Sequence, residues 1–494
     1  RVTCQTHRVT HLTPTAPSAL DVPIDAGTRV ELDAGTRFLD ERLVVGGAPR
    51  RLLHLPGASR DVLERWRRGE TVRAGEGGFA RTLVLQGLVR TYRRQSFDLD
   101  ELDVVIPVRD HLDTLGALLA SLRGLHVTIV DDGSRDPAAI AQLAHDAGAT
   151  LLRHDEPRGP AAARNAGLRA SSRPLVCFVD ADVALDDATA VLARLCAPFH
   201  DPLVGAVAPR VRGPRARTWR EGFEERFSPL DRGPRSGLVR AGATVSFVPS
   251  ALVVVRRASA GDGFDETLRV GEDVDFVWRL SDQGWLVRYE ADVVVTHGAR
   301  ASWSRWWDQR VAYAASSAEL ATRHGERLAP LRVDPVTLGS LGTLLLGRAA
   351  ISGRILRVAE RHLAERLPAT TTEPARVARE VVSRGVVHGA GPLARALVRS
   401  YAPALLALLV VRRVRRRVLG LLVLGVGWRW RHERFRLRDL PLGVADDLAY
   451  ASGLVVGAWR RREWRPLIPV VTSSSLRWRD FLPLGARPSP SPED

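Results

Sequence analysis

The sequence predicts an α/β fold: a mostly parallel sheet covered by helices, with a small N-terminal winged-helix-like unit and a helical C-terminal domain. Three observations predict it. From Asp103 onward, short apolar runs alternate with helix-length stretches, the pattern of a parallel sheet buried on both faces. Ahead of that region, residues 29–92 hold small strand-like and helix-like segments around turns. Beyond about residue 330 the chain turns to Leu, Ala and Arg.

Taken in order, residues 1–28 are polar, rich in Thr and Pro and without periodicity, which predicts a loose arm. In the unit 29–98, Val30 to Leu32 and Leu43 to Val45 read as short strands. The run Leu52-Leu53-His54-Leu55-Pro56 leads into a helix carrying Val62, Leu63 and Trp66, and a second helix is expected over Arg81 to Leu88. The central domain, 99–330, opens with the strand Val104-Val105-Ile106-Pro107 and a helix from Leu112 to Leu122. Val127 to Val130, a helix from Pro137 to Ala147, Thr150 to Leu152, a helix from Pro160 to Ala170 and the buried run Leu175 to Val179 follow. Ligands of such a sheet belong at the carboxyl ends of its strands.

In the domain 331–480, two eleven-residue apolar runs, Tyr401 to Val411 and Val418 to Trp428, flank the arginine-rich segment 412–417. Each is about half of the ~20 residues a membrane-spanning helix needs. A helical domain resting on an anionic membrane surface and a plain soluble one are both open readings. The tail, 481–494, reads as disordered.

Composition narrows the function classes. The 494 residues suffice for two or three domains without disulfide or metal staples. The 72 basic residues are all arginine and outnumber 56 acids, giving +16, which favours anionic partners. The all-arginine usage also fits a GC-rich coding sequence, which lowers the weight of the raw charge as a functional signal. Three cysteines without CxxC spacing argue against a disulfide framework or a zinc ribbon, and the opening stretch carries no apolar signal-like core. A cytoplasmic setting is expected, with a peripheral seat on the inner face of the membrane as the variant the arginines allow.

Acidic residues cluster where apolar strands stop. Asp131-Asp132-Gly133-Ser134 ends one strand and Asp180-Ala181-Asp182 ends another. Carboxylates at a buried strand end are costly unless paired or bound to a cation. Asp-x-Asp on an extended segment puts both oxygens on one side, facing one hard divalent cation. Either cluster alone also reads as a turn or helix cap. Gly271-Glu272-Asp273-Val274-Asp275 begins a helix running to Leu280, where negative charge is tolerated. His297 follows the strand Asp292 to Thr296 and is either a structural histidine or a third metal ligand.

These residues carry a resemblance. Val-Val-Ile-Pro at 104–107, Val-Asp-Asp-Gly-Ser at 130–134, Arg-Gly-Pro-Ala-Ala-Ala-Arg-Asn-Ala-Gly at 158–167, Phe-Val-Asp-Ala-Asp at 178–182 and Gly-Glu-Asp-Val-Asp at 271–275 are similar, in this order, to the family 2 glycosyltransferases. The match spans about residues 103–300 and implies the GT-A nucleotide-sugar fold. Pro249 to Leu252, Leu268 to Leu280 and Ala445-Asp446-Asp447-Leu448-Ala449-Tyr450 resemble, within that family, the branch that glycosylates mycofactocin, a peptide-derived redox cofactor.

The resemblance implies a donor, UDP-glucose, and a divalent metal, Mn²⁺ or Mg²⁺. Pro107 and Arg109 would flank the base pocket, with Asp132 on the uracil and Asp131 supporting it. Asp180 would meet the ribose or sugar, and Asp182 with His297 would bind the metal. Arg164 and Asn165 would line the nucleotide side, and Asp273, with Glu272 beside it, would be the general base of an inverting transfer building β-1,4-linked glucose units. Residues 29–92 resemble a PqqD-like peptide-recognition domain, which would suit a peptide-derived acceptor and its carrier protein. Two departures stand out: Pro157 replaces the Asn common before Arg-Gly-Pro-Ala, and the QxxRW signature of processive synthases is absent. Trp303, Arg305, Trp306, Trp307 and Gln309 supply similar residue types, either to stack on a sugar acceptor or to pack a helix. Rival readings are transfer to a polyprenyl-phosphate or other lipid or polysaccharide acceptor and, from another class, a non-catalytic basic module binding RNA or membrane. Nucleic acid is not expected as the partner of the enzyme.

Overall fold

The computed structural model describes residues 22–471 apart from 40–42, 56, 93–96, 299–301, 368–370, 372 and 434. The expected arm as far as residue 21, and the tail 481–494, lie outside the described residues. Residues 22–28 are held rather than loose: Arg81 Nε donates to the Val22 carbonyl at 2.6 Å and Ile24 N to Gly77 O at 3.1 Å.

Mostly apolar runs, five to seven residues long in β1 to β4, form the central sheet. Its strands are β1 (Leu102–Val108), β2 (His126–Asp132), β3 (Thr150–His154), β4 (Leu175–Val179), β5 (Val183–Ala184), β6 (Val204–Arg212), β7 (Leu252–Arg256) and β8 (Leu286–His297). They lie in the order β5-β8-β6-β7-β4-β1-β2-β3, with the short strand Gly237–Leu238 beside β8. The β4-β1-β2-β3 half is parallel throughout, as is the pair β6 and β8. β7 is antiparallel to both neighbours, and β5 is an antiparallel edge strand. All five residues of β4 are buried, as a strand covered on both faces requires. This is the mostly parallel α/β arrangement the sequence predicted. It brings the ends of β1, β2 and β4 side by side.

Helix α1 (Pro160–Ala170) follows β3, and α2 (Glu272–Asp282) precedes β8. Helix α3 (Trp303–His324) then joins the sheet to the C-terminal helices α4 (Pro374–Leu408), α5 (Arg412–His432) and α6 (Leu440–Arg461). α6 lies against α3 at backbone contact: a Cβ on Gly453 would fall 2.4 Å from Val311 O, and one on Gly457 2.3 Å from Ala315 O. The interface is stitched by buried ion pairs. Arg310 on α3 meets Glu224 and, at 2.5 Å, Asp446 on α6, while Arg395 on α4 reaches Asp447 at 2.7 Å. Of the two apolar runs, Tyr401 to Val411 straddles the end of α4 and Val418 to Trp428 lies inside α5. Among the described residues no helix is long and apolar enough to cross a membrane.

The N-terminal unit differs in detail from expectation. Arg29–Leu32 pairs antiparallel with Val89–Tyr92, a strand the local pattern did not reveal because its partner lies about sixty residues upstream. Arg37–Phe38, Leu43–Gly46 and Arg51–His54 form a second small sheet. The second helix runs over Gly77–Gln86, starting four residues before the predicted Arg81. Arg81 is buried and forms a two-pronged pair with Asp201 (2.8 and 3.0 Å), fastening this unit to the central domain. Leu43 and Leu52 pack with Leu363, Leu367 and Val377, so it also touches the C-terminal helices.

Candidate active site

At the end of β4, Asp180 N donates to Ala251 O on the entry to β7, and Val183 N donates to Asp180 O at 3.0 Å. Residues 180–183 therefore form a tight turn. This corrects the expectation of an extended Asp-x-Asp: the turn, not strand alternation, brings the two carboxylates together. The chain leaves the turn as β5, which pairs Val183 with His297 at the end of β8. That register delivers the imidazole: His297 Nε2 lies 3.1 Å from Asp182 Oδ1 and 3.9 Å from Asp180 Oδ2. One ligand atom from each of the three residues lies within 4.8 Å of the others.

The second ring nitrogen of His297, Nδ1, bonds the Gly298 carbonyl at 3.1 Å, which leaves Nε2 for the carboxylates. A backbone partner of this kind fixes the tautomer of a metal-ligating histidine. Two carboxylates and an imidazole within one ion's reach are a donor set suited to Mn²⁺ or Mg²⁺. Burial opposes the charge on Asp180, but Arg164 and His297 outweigh it and lower its pKa to about 2. Burial likewise disfavours imidazolium at His297, yet Asp180 and Asp182 raise its pKa above the ordinary value.

Arg164, on α1, joins this cluster to the start of α2. Its guanidinium donates to Asp180 Oδ1 at 2.7 Å and to Glu272 Oε1 at 2.9 Å. Burial works against its charge, but the two carboxylates raise its pKa further. Gly271 precedes α2 with φ 88°, a conformation glycine takes without penalty, and a Cβ there would sit 2.9 Å from Leu320 Cδ1. The chain can thus turn sharply and present Glu272 and Asp273 to the cavity. Asp273 Oδ1 accepts from Val274 N at 2.8 Å. Burial first, and the adjacent Glu272 charge second, raise its pKa to about 7, against weaker opposing pulls from Val274 N–H, Arg164 and the Ser250 backbone. A carboxylate poised near neutrality is matched to proton abstraction.

On the other side, Asp132 accepts the backbone N–H groups of Arg158 (2.9 Å) and Gly159 (2.8 Å) and meets His154 Nδ1 at 2.8 Å. It thereby fixes the loop that starts α1. Arg109 is followed by Asp110, whose φ of 58° is held by Ser134 Oγ on its N–H and Arg135 N on its carboxylate. Strained backbone of this kind persists only where its surroundings over-determine it.

One cavity of about 2100 Å³ collects Pro107, Arg109, Asp132, Arg164, Asp180, Asp182, His297, Glu272 and Asp273. Two expected residues take other roles. Asp131 is buried under the turn, accepting from Ser134 N at 2.9 Å and pairing with Arg153. Asn165, expected on the nucleotide side, instead faces the loop 263–266, exchanging hydrogen bonds with Phe264 N and O at 2.8 Å each. The tryptophan question is decided for Trp306, which is buried and donates to Glu224 at 2.5 Å; it packs a helix. Trp303 and Trp307 are exposed, and none of the three lines the cavity.

The C-terminal helices supply walls that the sequence did not assign: Arg395, Arg399, Trp428, Asp446 and Tyr450. The segment 228–235 also lines the cavity, held by the Arg210–Asp231 pair (2.8 Å for both bonds) and by Tyr289 Oη donating to Gly233 O at 2.7 Å. A signal existed for part of this. Two adjacent aspartates, Asp446 and Asp447, inside an otherwise apolar helix must be paired if buried.

Residues 103–263 match the model of glycosyl transferase family 2. The chain is 37% identical over 473 residues to the pre-mycofactocin glycosyltransferase of Mycobacterium tuberculosis strain H37Rv, covering 90% of this chain and 98% of that one. The chain belongs to the pre-mycofactocin glycosyltransferase family, within glycosyltransferase family 2. It is also 29% identical over 197 residues to the succinoglycan biosynthesis protein ExoU of Rhizobium meliloti strain 1021, covering 37% of this chain and 57% of the relative. Among solved structures, the mannosyltransferase PcManGT from Pyrobaculum calidifontis, in complex with GDP-Man and Mn²⁺, aligns with TM-score 0.36 and 20% identity over 69% of this chain and 91% of that one. Family membership makes the protein an enzyme, a glycosyltransferase, and replaces the reading of a non-catalytic basic module.

Proposed function

We propose that this family member transfers glucose from UDP-glucose to premycofactocin, with inversion, building β-1,4-linked glucose units. The observation that carries the reading is the convergence of Asp180, Asp182, His297 and Asp273 on one cavity, in a chain 37% identical to a pre-mycofactocin glycosyltransferase.

Pro107 and Arg109 flank the uracil, and Asp132, whose Oδ2 has an acceptor site left beyond its bond from Gly159 N, accepts the imide N–H. Asp180, Asp182 and His297 would hold the divalent cation, whose charge would offset the negative charge of the departing UDP. Asp273 takes the proton of the acceptor hydroxyl as that oxygen attacks the anomeric carbon; the C–O bond to UDP breaks on the opposite face and the centre inverts. Arg164 keeps Asp180 and Glu272 in place while this happens. The N-terminal unit, read as PqqD-like, would receive the peptide-derived acceptor or its carrier.

A lipid acceptor, or a peripheral seat on an anionic membrane, is the second reading. It is favoured by the exposed Val410, Val423 and Trp430 beside the arginines of α5. The deciding experiment incubates the purified chain with Mn²⁺, both premycofactocin and polyprenyl phosphate as acceptors, and UDP-glucose, UDP-galactose or UDP-N-acetylglucosamine, and follows each acceptor by mass. Addition of 162-dalton increments to premycofactocin from UDP-glucose, the mass of about one hexose less water, is expected. Turnover of polyprenyl phosphate with premycofactocin untouched would establish the second reading.

A further inference from the structure

Among the described cavity-lining arginines that are not exposed, two have no carboxylate within ion-pair distance. They are Arg232, on the segment 228–235, and Arg399, on α4. Most of the buried arginines nearby are ion-paired: Arg164 with Asp180 and Glu272, Arg310 with Glu224 and Asp446, Arg395 with Asp447. Arg232 and Arg399 make no ion pair among the described residues, and the Nε of each is buried without a hydrogen-bond partner. Their guanidinium planes are fixed by aromatic rings instead, Arg232 over Phe247 at 4.1 Å and Arg399 over Tyr450 at 4.2 Å from the ring centroids. The two cations are near enough to repel each other. Arg232 also feels Asp231 and Asp273, and Arg399 feels Asp446, Asp447 and Glu433, all from beyond ion-pair distance.

Buried donors left unpaired are costly, and two like charges brought together in one cavity compound the cost. A planar guanidinium held flat by an aromatic ring keeps its N–H edge free for the two oxygens of a carboxylate or phosphate. We propose that Arg232 and Arg399 form an oxyanion subsite, assembled jointly by the catalytic domain and the C-terminal helices, that takes a phosphate or carboxylate group of a substrate. The inference rests on the cavity being the donor and acceptor site. Both arginines line the cavity that also holds Asp180, Asp182 and Asp273, so the anion would be either the diphosphate of the donor or an acidic group of the acceptor.

Calorimetry on the whole chain tests it, comparing the unsubstituted protein with R232Q, R399Q and R232K. Inorganic diphosphate without metal probes the arginines themselves; UDP with Mn²⁺ probes the donor, and KM for premycofactocin the acceptor. Diphosphate binding is expected to weaken at least tenfold in both glutamine variants and to be restored only in part in R232K, whose ammonium keeps the charge without the planar fork. A parallel loss of UDP affinity identifies the donor diphosphate as the anion. An unchanged UDP affinity with a tenfold rise in acceptor KM identifies the acceptor. Diphosphate affinity, UDP affinity and acceptor KM all within twofold of the unsubstituted protein, in variants that melt normally, would overturn the proposal. If R399Q fails to fold through loss of the Tyr450 stack, R232Q alone decides. Failure of the unsubstituted protein to use any UDP-sugar would sink the proposed function, yet the diphosphate titration would still read the subsite.

Discussion

Asp180 and Glu272, ninety-two positions apart in the chain, share one guanidinium: Arg164 donates to the first at 2.7 Å and to the second at 2.9 Å. The pairing ties the metal-type cluster at the end of β4 to the acidic start of α2, and so sets where Asp273 stands relative to Asp182.

Arg164→Met should therefore damage both stability and catalysis. Removing one partner leaves Asp180 and Glu272 partly buried without compensation, a loss of about 3–5 kcal/mol for a buried pair. Urea denaturation reads the stability. Arg164 also pulls the Asp273 pKa down, so the acidic limb of kcat/KM should move to higher pH in any variant that stays folded. A variant with unchanged midpoint and unchanged limb would deny Arg164 this role.

The pH profile tests Asp273 directly. Its pKa stands at about 7 in the folded chain, well above the carboxylate range. A base must be ionised, so kcat/KM should rise as pH passes through about 7. Glu272→Gln removes the neighbouring negative charge that raises Asp273, which shifts the limb to lower pH. Asp273→Asn should reduce transfer roughly 10²–10⁴-fold with UDP affinity nearly intact, because the base acts only when the acceptor reacts. The stability linkage has its own sign. A carboxyl raised in the folded state favours folding below the unfolded pKa and loses that contribution as pH rises to about 7. Asp273→Asn should thus stabilise the protein more at pH 8 than at pH 4, as thermal melts would show.

The parallel strands and the acidic strand ends were legible in the sequence, because β4 is apolar at every position and Asp180, Asp182, Glu272 and Asp273 each stand at the boundary of a periodic element. Less legible was anything set by distant pairing. His297 becomes a partner of Asp182 only through the register of β5 against β8, which no local pattern encodes. Asp131 and Asn165 each stand beside a residue that lines the cavity, Asp132 and Arg164, yet the geometry of the 131–134 turn and of α1 directs them to the protein's own backbone. The cavity walls from α4 and α6 depend on helix contacts between residues distant in the chain, Arg310 with Asp446 and Arg399 with Tyr450, so no local pattern shows that Arg399 and Tyr450 face the cavity.

Loss of a metal ligand should be read in UDP binding rather than in stability. Asp182→Ala and His297→Ala are each expected to weaken Mn²⁺-dependent UDP binding beyond the roughly 10–100-fold that follows loss of a residue hydrogen-bonded to a metal ligand, while metal-free UDP binding changes little. Calorimetry with Mn²⁺ and with a chelator separates the two. Since the imidazole must be neutral to bind metal and its pKa is raised, Mn²⁺ affinity should fall as pH drops below that raised value. A pH-independent Mn²⁺ affinity would exclude His297 from the ligand set.

Gly457→Ala discriminates between helix propensity and packing by sign. In an isolated helix, alanine is better than glycine by about 1 kcal/mol, so propensity alone makes this substitution stabilising. In the folded chain, however, the new methyl would lie 2.3 Å from the Ala315 carbonyl and 2.7 Å from its Cα, both backbone atoms that cannot swing aside. α6 must then move off α3. Overpacking of this kind costs about 1–3 kcal/mol, which outweighs the propensity gain or cancels it at the lower limit. Tyr450 and Asp446 ride on α6 and line the cavity, so the displacement should also raise KM. A lowered urea midpoint together with raised KM is expected; a raised midpoint with unchanged kinetics would mean that the α3–α6 contact yields freely and does not shape the cavity.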